Sequence, residues 1–285
     1  LEGIAEVYNL DRNYYPAISQ LNKALSVAIG LNNKELQTEL HGKIGAIALD
    51  QKNYTLAHRE FTSVLDLFKA KSNLTATEQM QEADAYRKIG IAYRNLGQFK
   101  EGLSAFRKAL EASGRMNERK QEIEDLNEIA TSFYLLQEFD SALTYYNRVL
   151  AFYQLQKDTL PMVDVLLSIG DVFLETMQYH QAVASYNRGL EMATHVGNVQ
   201  GQVSGLVNIC RCLNAYGGYP SAKEYGNNAL KRAMRGNLSN SAADGHRCVG
   251  DGGGEGGRFV QAWEQNKLCA GVRGSLASGR RREAW

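Results

Sequence analysis

Cysteine is scarce in this chain: four in 285 residues, too few for a disulfide framework. Cys210, Cys212, Cys248 and Cys269 are expected as reduced thiols of a cytoplasmic protein, with Cys210 in the core. Together with His246 they fit no common zinc spacing, so neither a metal nor any other cofactor is expected. An excess of one charge is equally lacking. Thirty-two basic side chains face thirty-one acidic ones, a net of +1, which argues against a general nucleic-acid or membrane-surface binder. No apolar run approaches the ~18 residues that a membrane span requires. The acidic start at Leu1 is unlike a secretory leader, and without an initiator methionine the chain reads as a fragment. Prolines number three. Pro16 and Pro220 are expected to open helices, where a missing donor is harmless, and Pro161 to lie in a loop.

The marks of catalysis are missing too. His41, His58, His180, His195 and His246 are scattered without a partner pattern, and no G-x-S-x-G, H-E-x-x-H or phosphate loop occurs. The formal G-x-G-x-x-G from Gly252 to Gly257 follows no strand and arises from glycine content alone. Glu122, Glu124 and Asp125 read as a solvated helix face. The chain is expected to be non-enzymatic.

What the chain has is repetition. Isoleucine stands at 4, 44, 89, 129, 169 and 209, and leucine follows twenty-one residues later at 25, 65, 110, 150, 190 and 230. The intervals between isoleucines are 40, 45, 40, 40 and 40 residues, so one unit is copied six times. A small residue follows each isoleucine: Ala5, Gly45, Gly90, Ala130, Gly170, Cys210. Ten residues after the isoleucine comes an aromatic: Tyr14, Tyr54, Phe99, Phe139, Tyr179, Tyr219. Then a second small position follows, at Ala17, Ala57, Gly102, Ala142, Ala182 and Ala222. Four further on the residue is large (Leu21, Phe61, Phe106, Tyr146, Tyr186), with Gly226 as the exception.

Within each half-unit these positions lie 3, 4 or 7 apart, the helical period. Breaks at Asp11-Arg12-Asn13, Asn95-Leu96-Gly97-Gln98 and Tyr216-Gly217-Gly218 divide the halves. Each unit is therefore expected to be two helices of roughly 14 residues joined by a tight turn. The small positions let backbones approach closely, and a larger residue there should overpack at ~1–3 kcal/mol. The hairpin aromatic is expected in the core, where truncation to alanine costs ~3–5 kcal/mol.

These positions resemble the tetratricopeptide repeat. Ile89, Gly90, Tyr93, Gly97, Phe99, Gly102, Phe106 and Ala109 reproduce its large–small–aromatic order. The usual repeat is shorter and closes with a proline, so the longer unit looks like that of LGN/Pins, rapsyn and the sensor regions of some bacterial signalling proteins. The resemblance implies an all-α fold, a right-handed α-solenoid of stacked antiparallel helix pairs. Six repeats are expected over residues 1–236 (about 1–33, 38–71, 83–115, 123–156, 163–196 and 203–236). Residues 237–285 read as a degraded seventh repeat and a glycine-rich, disordered tail. Extending the spacing places Val249 and Gly250 at the Ile–small positions, Phe259 at the hairpin aromatic, Ala262 at the second small position, and Cys269 and Ala270 at the final pair. Six glycines within 250–257 are expected to abolish that copy's first helix.

The resemblance also implies a partner-binding groove on the first helices, at positions two before, two after and five after the isoleucine. Those are Arg87, Ile91 and Arg94 in the third copy and Asn127, Thr131 and Tyr134 in the fourth. The fifth gives Leu167, Asp171 and Leu174, and the sixth Val207, Arg211 and Asn214. The first contributes Glu2, Glu6 and Asn9, and the second Gly42, Ala46 and Leu49. Arg87, Arg94, Asn127, Tyr134, Asp171, Arg211 and Asn214 are the expected contact residues, because Arg and Tyr make typical interface anchors. The expected function is a scaffold or adaptor that holds a peptide segment of another protein. The alternative is a sensory or regulatory region of a larger signalling protein such as a histidine kinase.

Overall fold

The computed structural model describes residues 14–69 and 71–250. The chain divides into two compact units, residues 1–149 and 150–285. Among the described residues every regular element is an α-helix. The first unit holds α1 (Tyr14–Gly30), α2 (Lys34–Asp50), α3 (Tyr54–Lys69), α4 (Ala76–Asn95), α5 (Phe99–Met116), α6 (Arg119–Leu135) and the first turns of α7 (Phe139–Gln156). The second holds the rest of α7, then α8 (Thr159–Glu175), α9 (Tyr179–His195), α10 (Val199–Tyr216), α11 (Tyr219–Arg235) and α12 (Ser239–Gly250). Within each unit, successive helices pack as antiparallel pairs, as a helix-pair solenoid requires.

The helices are a turn longer than expected. In the fifth copy two 17-residue helices and two three-residue breaks fill the forty-residue unit. Each break is set by one residue in the left-handed region, and from Gly97 to Asn237 such residues recur every twenty positions. At the end of α9 the Gly197 N–H reaches the Thr194 carbonyl at 3.3 Å and the Asn198 N–H reaches Ala193 at 2.8 Å, closing the last turn. Several of these positions are not glycine: Asn32, Lys52, Asn117, Gln137, Lys157, Met177 and Asn237 all have positive φ. A Cβ in that region costs ~1–2 kcal/mol. Met177 is 74% exposed, so its side chain returns little packing. Met177→Gly is therefore expected to stabilise by ~0.5 kcal/mol, since glycine's larger unfolded-state entropy offsets part of the gain. A melt followed by circular dichroism checks this; a lower midpoint in the variant would contradict it.

The five extra residues before the third copy enter the loop ahead of α4 and α4 itself, which runs 20 residues. Thr75 caps that helix reciprocally with Glu78: the Glu78 N–H donates to Oγ1 at 3.3 Å, and the Thr75 N–H donates to the Glu78 carboxylate at 2.9 Å. Pro161 does not lie in a loop. It occupies the first turn of α8, where N–H groups have no intrahelical acceptor and proline costs no hydrogen bond.

Burial follows the repeat. Ile44, Ile89, Ile129, Ile169 and Ile209 are all at most 6% exposed. Each small residue after the isoleucine works with the large residue sixteen positions on. A Cβ on Gly45 would sit 2.8 Å from the Phe61 ring, one on Gly90 2.7 Å from Phe106, and one on Gly170 2.3 Å from Tyr186. The rings fill the space that the missing methyls leave. In the sixth copy the sizes are exchanged: the small position holds Cys210 and the large one Gly226. A Cβ on Gly226 would meet Val249 at 2.5 Å and the Cys210 sulfur at 3.2 Å, so α12 occupies the volume a ring fills elsewhere. The described hairpin aromatics Tyr14, Tyr54, Phe99, Phe139 and Tyr179 are half-buried rather than core. Each sits at the first residue of its helix, where one side of the ring remains in water.

Two further expectations change. The first helix of the seventh copy is present as α12, because the glycine tract starts where its described residues end. The thiols are not all reduced: Cys210 and Cys248 form a disulfide, with Cα atoms 6.3 Å apart. The packing of α12 on α10 and α11 brings these residues, 38 apart in sequence, to that distance. The first helix of the first copy (with Ile4, Glu2, Glu6 and Asn9), the break at 11–13 and the tail from 251 (with Phe259, Ala262, Cys269 and Ala270) lie outside the described residues.

Candidate partner-binding site

In the first unit the expected groove arginines are committed to neighbouring helices. Arg87, on α4, donates from Nε to Asp125 of α6 at 2.7 Å. Asp125 is fully buried and takes a second bond from Ser113 of α5 at 2.7 Å. It is thus no part of a solvated face: its carboxylate joins three helices. Burial pushes its carboxyl above the ordinary value, and Arg87 and Ser113 offset part of that rise. The Arg87 side chain is 15% exposed, and its Nη2 is buried without a partner. Arg94 pairs with Glu128 on α6 and lies over the Phe106 ring, 5.6 Å from its centroid. Asn127 is half-buried; Tyr134 is half-buried as well and packs against Phe139, with centroids 6.1 Å apart.

A second polar cluster ties α2 to α3. His41 Nδ1 lies 2.7 Å from Glu60, which also accepts from Arg59 at 2.8 Å. Burial would raise the Glu60 carboxyl, but the bonds from His41 and Arg59 outweigh it and hold it below the usual range. Within this unit a hollow of about 580 Å³ lies against second-helix residues Ile18, Asn22 and Leu56, away from the expected groove positions.

The second unit brings Arg211 and Asn214 together but leaves Asp171, half-buried, outside their hollow. A hollow of about 590 Å³ opens between α10 and α12, lined by Val207, Asn208, Arg211 and Asn214 on one side and Arg247 and Cys248 on the other. Arg211 is exposed and reaches Asn208 Oδ1 at 3.5 Å. Arg247 is 78% exposed, with Asp244 3.7 Å away on its own helix. Asn214 donates to the Cys248 carbonyl at 3.0 Å and so holds α12 against α10. Asp171, on α8, accepts from the Tyr186 hydroxyl at 2.7 Å and from Asn208 at 3.3 Å. Burial raises its carboxyl, against the Tyr186 bond and the nearby Arg211 charge. Burial and Asp171 together push the Tyr186 hydroxyl far up. The hollow therefore offers two arginines and an amide, with the Asp244 carboxylate beside Arg247 and Val203 and Val207 among its lining. Such a surface suits a carboxylate-bearing segment.

Arg247 was not among the expected contacts. It stands two before Val249, the same position as Arg87 in the third copy, so carrying the groove positions into the seventh copy would have found it. Asp125 also had a signal. Four before the isoleucine the other copies hold Leu40, Ala85, Val165 and Gly205, and an acid at such a position marks a buried charge in need of a partner.

These units define an all-α repeat protein of stacked helix pairs with no strand among the described residues. The tetratricopeptide repeat family model matches residues 81–155, and the other helix pairs resemble that type. No curated protein sequence matches the chain significantly. Among solved structures it is similar to aspartyl phosphate phosphatase F from Bacillus subtilis (TM-score 0.70, 15% identity, covering 88% of this chain and 66% of that one). It is also similar to a STAND protein with a tetratricopeptide repeat sensor from Pyrococcus horikoshii (TM-score 0.70, 12% identity, 87% of this chain and 37% of that one). A third is a Rap protein complexed with competence and sporulation factor (TM-score 0.57, 14% identity, 87% and 72%). At these identities the likeness is one of fold.

Proposed function

We propose that the protein is a non-enzymatic adaptor that binds a peptide segment of another protein in the hollow between α10 and α12. Arg211 and Arg247 receive an acidic side chain or terminal carboxylate, Asn214 orients the backbone, and Val207 meets an apolar neighbour. The observation that carries this reading is that Arg211 and Asn214 of the sixth copy and Arg247 of the seventh, all at first-helix groove positions, line one concavity. A similar fold in a Rap protein is complexed with competence and sporulation factor, which supports a binding role for such repeats. In the first unit Arg87 and Arg94 spend their charge on Asp125 and Glu128, so that unit serves as the frame.

The test is an array of short peptides probed with the whole chain and with the Arg211→Glu/Arg247→Glu variant. Both side chains are exposed, so helicity should be unchanged. Peptides with an acidic anchor should bind the wild type and lose about thirtyfold or more in affinity to the variant. Equal binding by both proteins would contradict the assignment.

A second reading, a sensory region of a larger signalling protein, is favoured by the fold likeness to a sensor within a longer chain, of which this one covers 37%. A kinase or ATPase segment encoded beside this one would support it. In that case the hollow receives the signal rather than a client.

A further inference from the structure

We propose that the Cys210–Cys248 disulfide is a redox latch on this hollow, and that a dithiol reductant which opens it releases α12 and removes the wall that carries Arg247. The inference rests on the binding reading only for its consequence, loss of partner capture. Its physical basis is that α12, apart from its packing against α11, is held to α10 by few other groups. The helix has 12 described residues, near the lower limit at which an isolated helix forms, and carries an interior glycine at 245. Among its described side chains the buried apolar ones are Ala242, Cys248 and Val249. Its polar ties to α10 are the Gln200–Ser241 bond at 3.0 Å and the Asn214 bond to the Cys248 carbonyl. Arg247 and Asp244 pair within the helix and contribute nothing to its docking. Against this, the disulfide is a covalent link from the end of α12 to a fully buried position on α10.

The bond also borders the hollow, although Cys248 is only 5% exposed. Cys248 lines the hollow, whereas Cys210 lies behind it against the notch at Gly226. A thiolate of the reductant entering the hollow attacks the Cys248 sulfur. A mixed disulfide forms there, and the Cys210–Cys248 bond breaks with Cys210 leaving as thiolate. The Asn214 amide lies 3.5 Å from the Cys248 sulfur and 4.0 Å from that of Cys210, within reach of either. The second thiol of the reductant then attacks its own bonded sulfur and frees Cys248. Two electrons pass from the dithiol to the protein, two protons end on the cysteines, and the reductant leaves as a cyclic disulfide. A segment bound in the hollow covers Cys248, so binding and reduction oppose each other.

Hydrogen exchange on the whole chain tests this without any partner. Three samples are compared: air-oxidised protein, the same protein in dithiothreitol, and the Cys248→Ser variant. Amides of residues 239–250 are expected to exchange roughly tenfold faster or more in the latter two, with α8 and α9 unchanged. Equal protection of α12 in all three would overturn the latch. So would alkylation mass spectrometry that finds residues 210 and 248 both free in the air-oxidised protein. If α12 loosens on reduction but neither redox form captures an acidic peptide, the latch stands and the binding reading falls.

Discussion

Arg87→Ala is expected to destabilise the first unit by ~3–5 kcal/mol, because it strands a fully buried carboxylate. Asp125 would keep one donor, Ser113 at 2.7 Å, in place of two. The effect should depend on pH in a definite direction. Burial already holds the Asp125 carboxyl above its unfolded value, and loss of the arginine removes the charge that offsets it. A carboxyl whose folded pKa is raised binds more protons folded than unfolded, so its contribution to stability falls as pH rises through that window. The gap between Arg87→Ala and wild type should therefore narrow as the buffer is taken from pH 7 toward pH 5. A double substitution, Arg87→Met with Asp125→Leu, removes both charges together and should come back to within ~1–2 kcal/mol of wild type. Chemical denaturation at two pH values measures all of this. If the single substitution is harmless at pH 7, the Arg87–Asp125 pair is not structural. Reversing Arg87 to probe binding would thus confound partner capture with unfolding.

Tyr186→Ala should be of similar size in the second unit. The ring is fully buried against Gly170, and its hydroxyl is the nearest partner of Asp171. Its loss leaves a cavity worth ~3–5 kcal/mol, which corresponds to ~10 °C in the melting midpoint. Gly170→Val approaches the same contact from the other side. Its Cβ would lie 2.3 Å from the ring, so the ring must move and release the Asp171 carboxylate. The two lesions share one volume and should not add: Gly170→Val with Tyr186→Ala should be more stable than the sum of the singles by ~0.5 kcal/mol or more. Strict additivity would show that the small and large positions are not matched partners.

The isoleucine and small–large positions made the helix pairing readable from one copy to the next, since a contact every forty residues leaves a mark in every copy. The site was readable only in part. Arg211 and Asn214 line the hollow, Arg211 beside Asn208 and Asn214 bonded to the Cys248 carbonyl. Among the described residues no acid of the next copy takes their charge or amide. Arg87 and Arg94 sit at equivalent positions, but their fate depends on what the next copy places opposite, and there Asp125 and Glu128 stand. The exception at Gly226 was visible as a letter. Its meaning needed the third dimension, because the volume it vacates is claimed by Val249 and the disulfide from a helix that the glycine count had dismissed. The left-handed residues at Gln137, Lys157 and Met177 left no mark, since polar or flexible side chains there point to water and tolerate the strain.

The most direct measurement on the central claim is cross-linking mass spectrometry of the whole chain with its tightest acidic peptide from the array, the peptide carrying a photoreactive residue next to its acidic anchor. Adducts on α10 and α12, close to Arg211 and Arg247, are the predicted outcome, and they should vanish when both arginines are changed to glutamate. Adducts confined to the first unit, or to the outer second helices, would contradict the account.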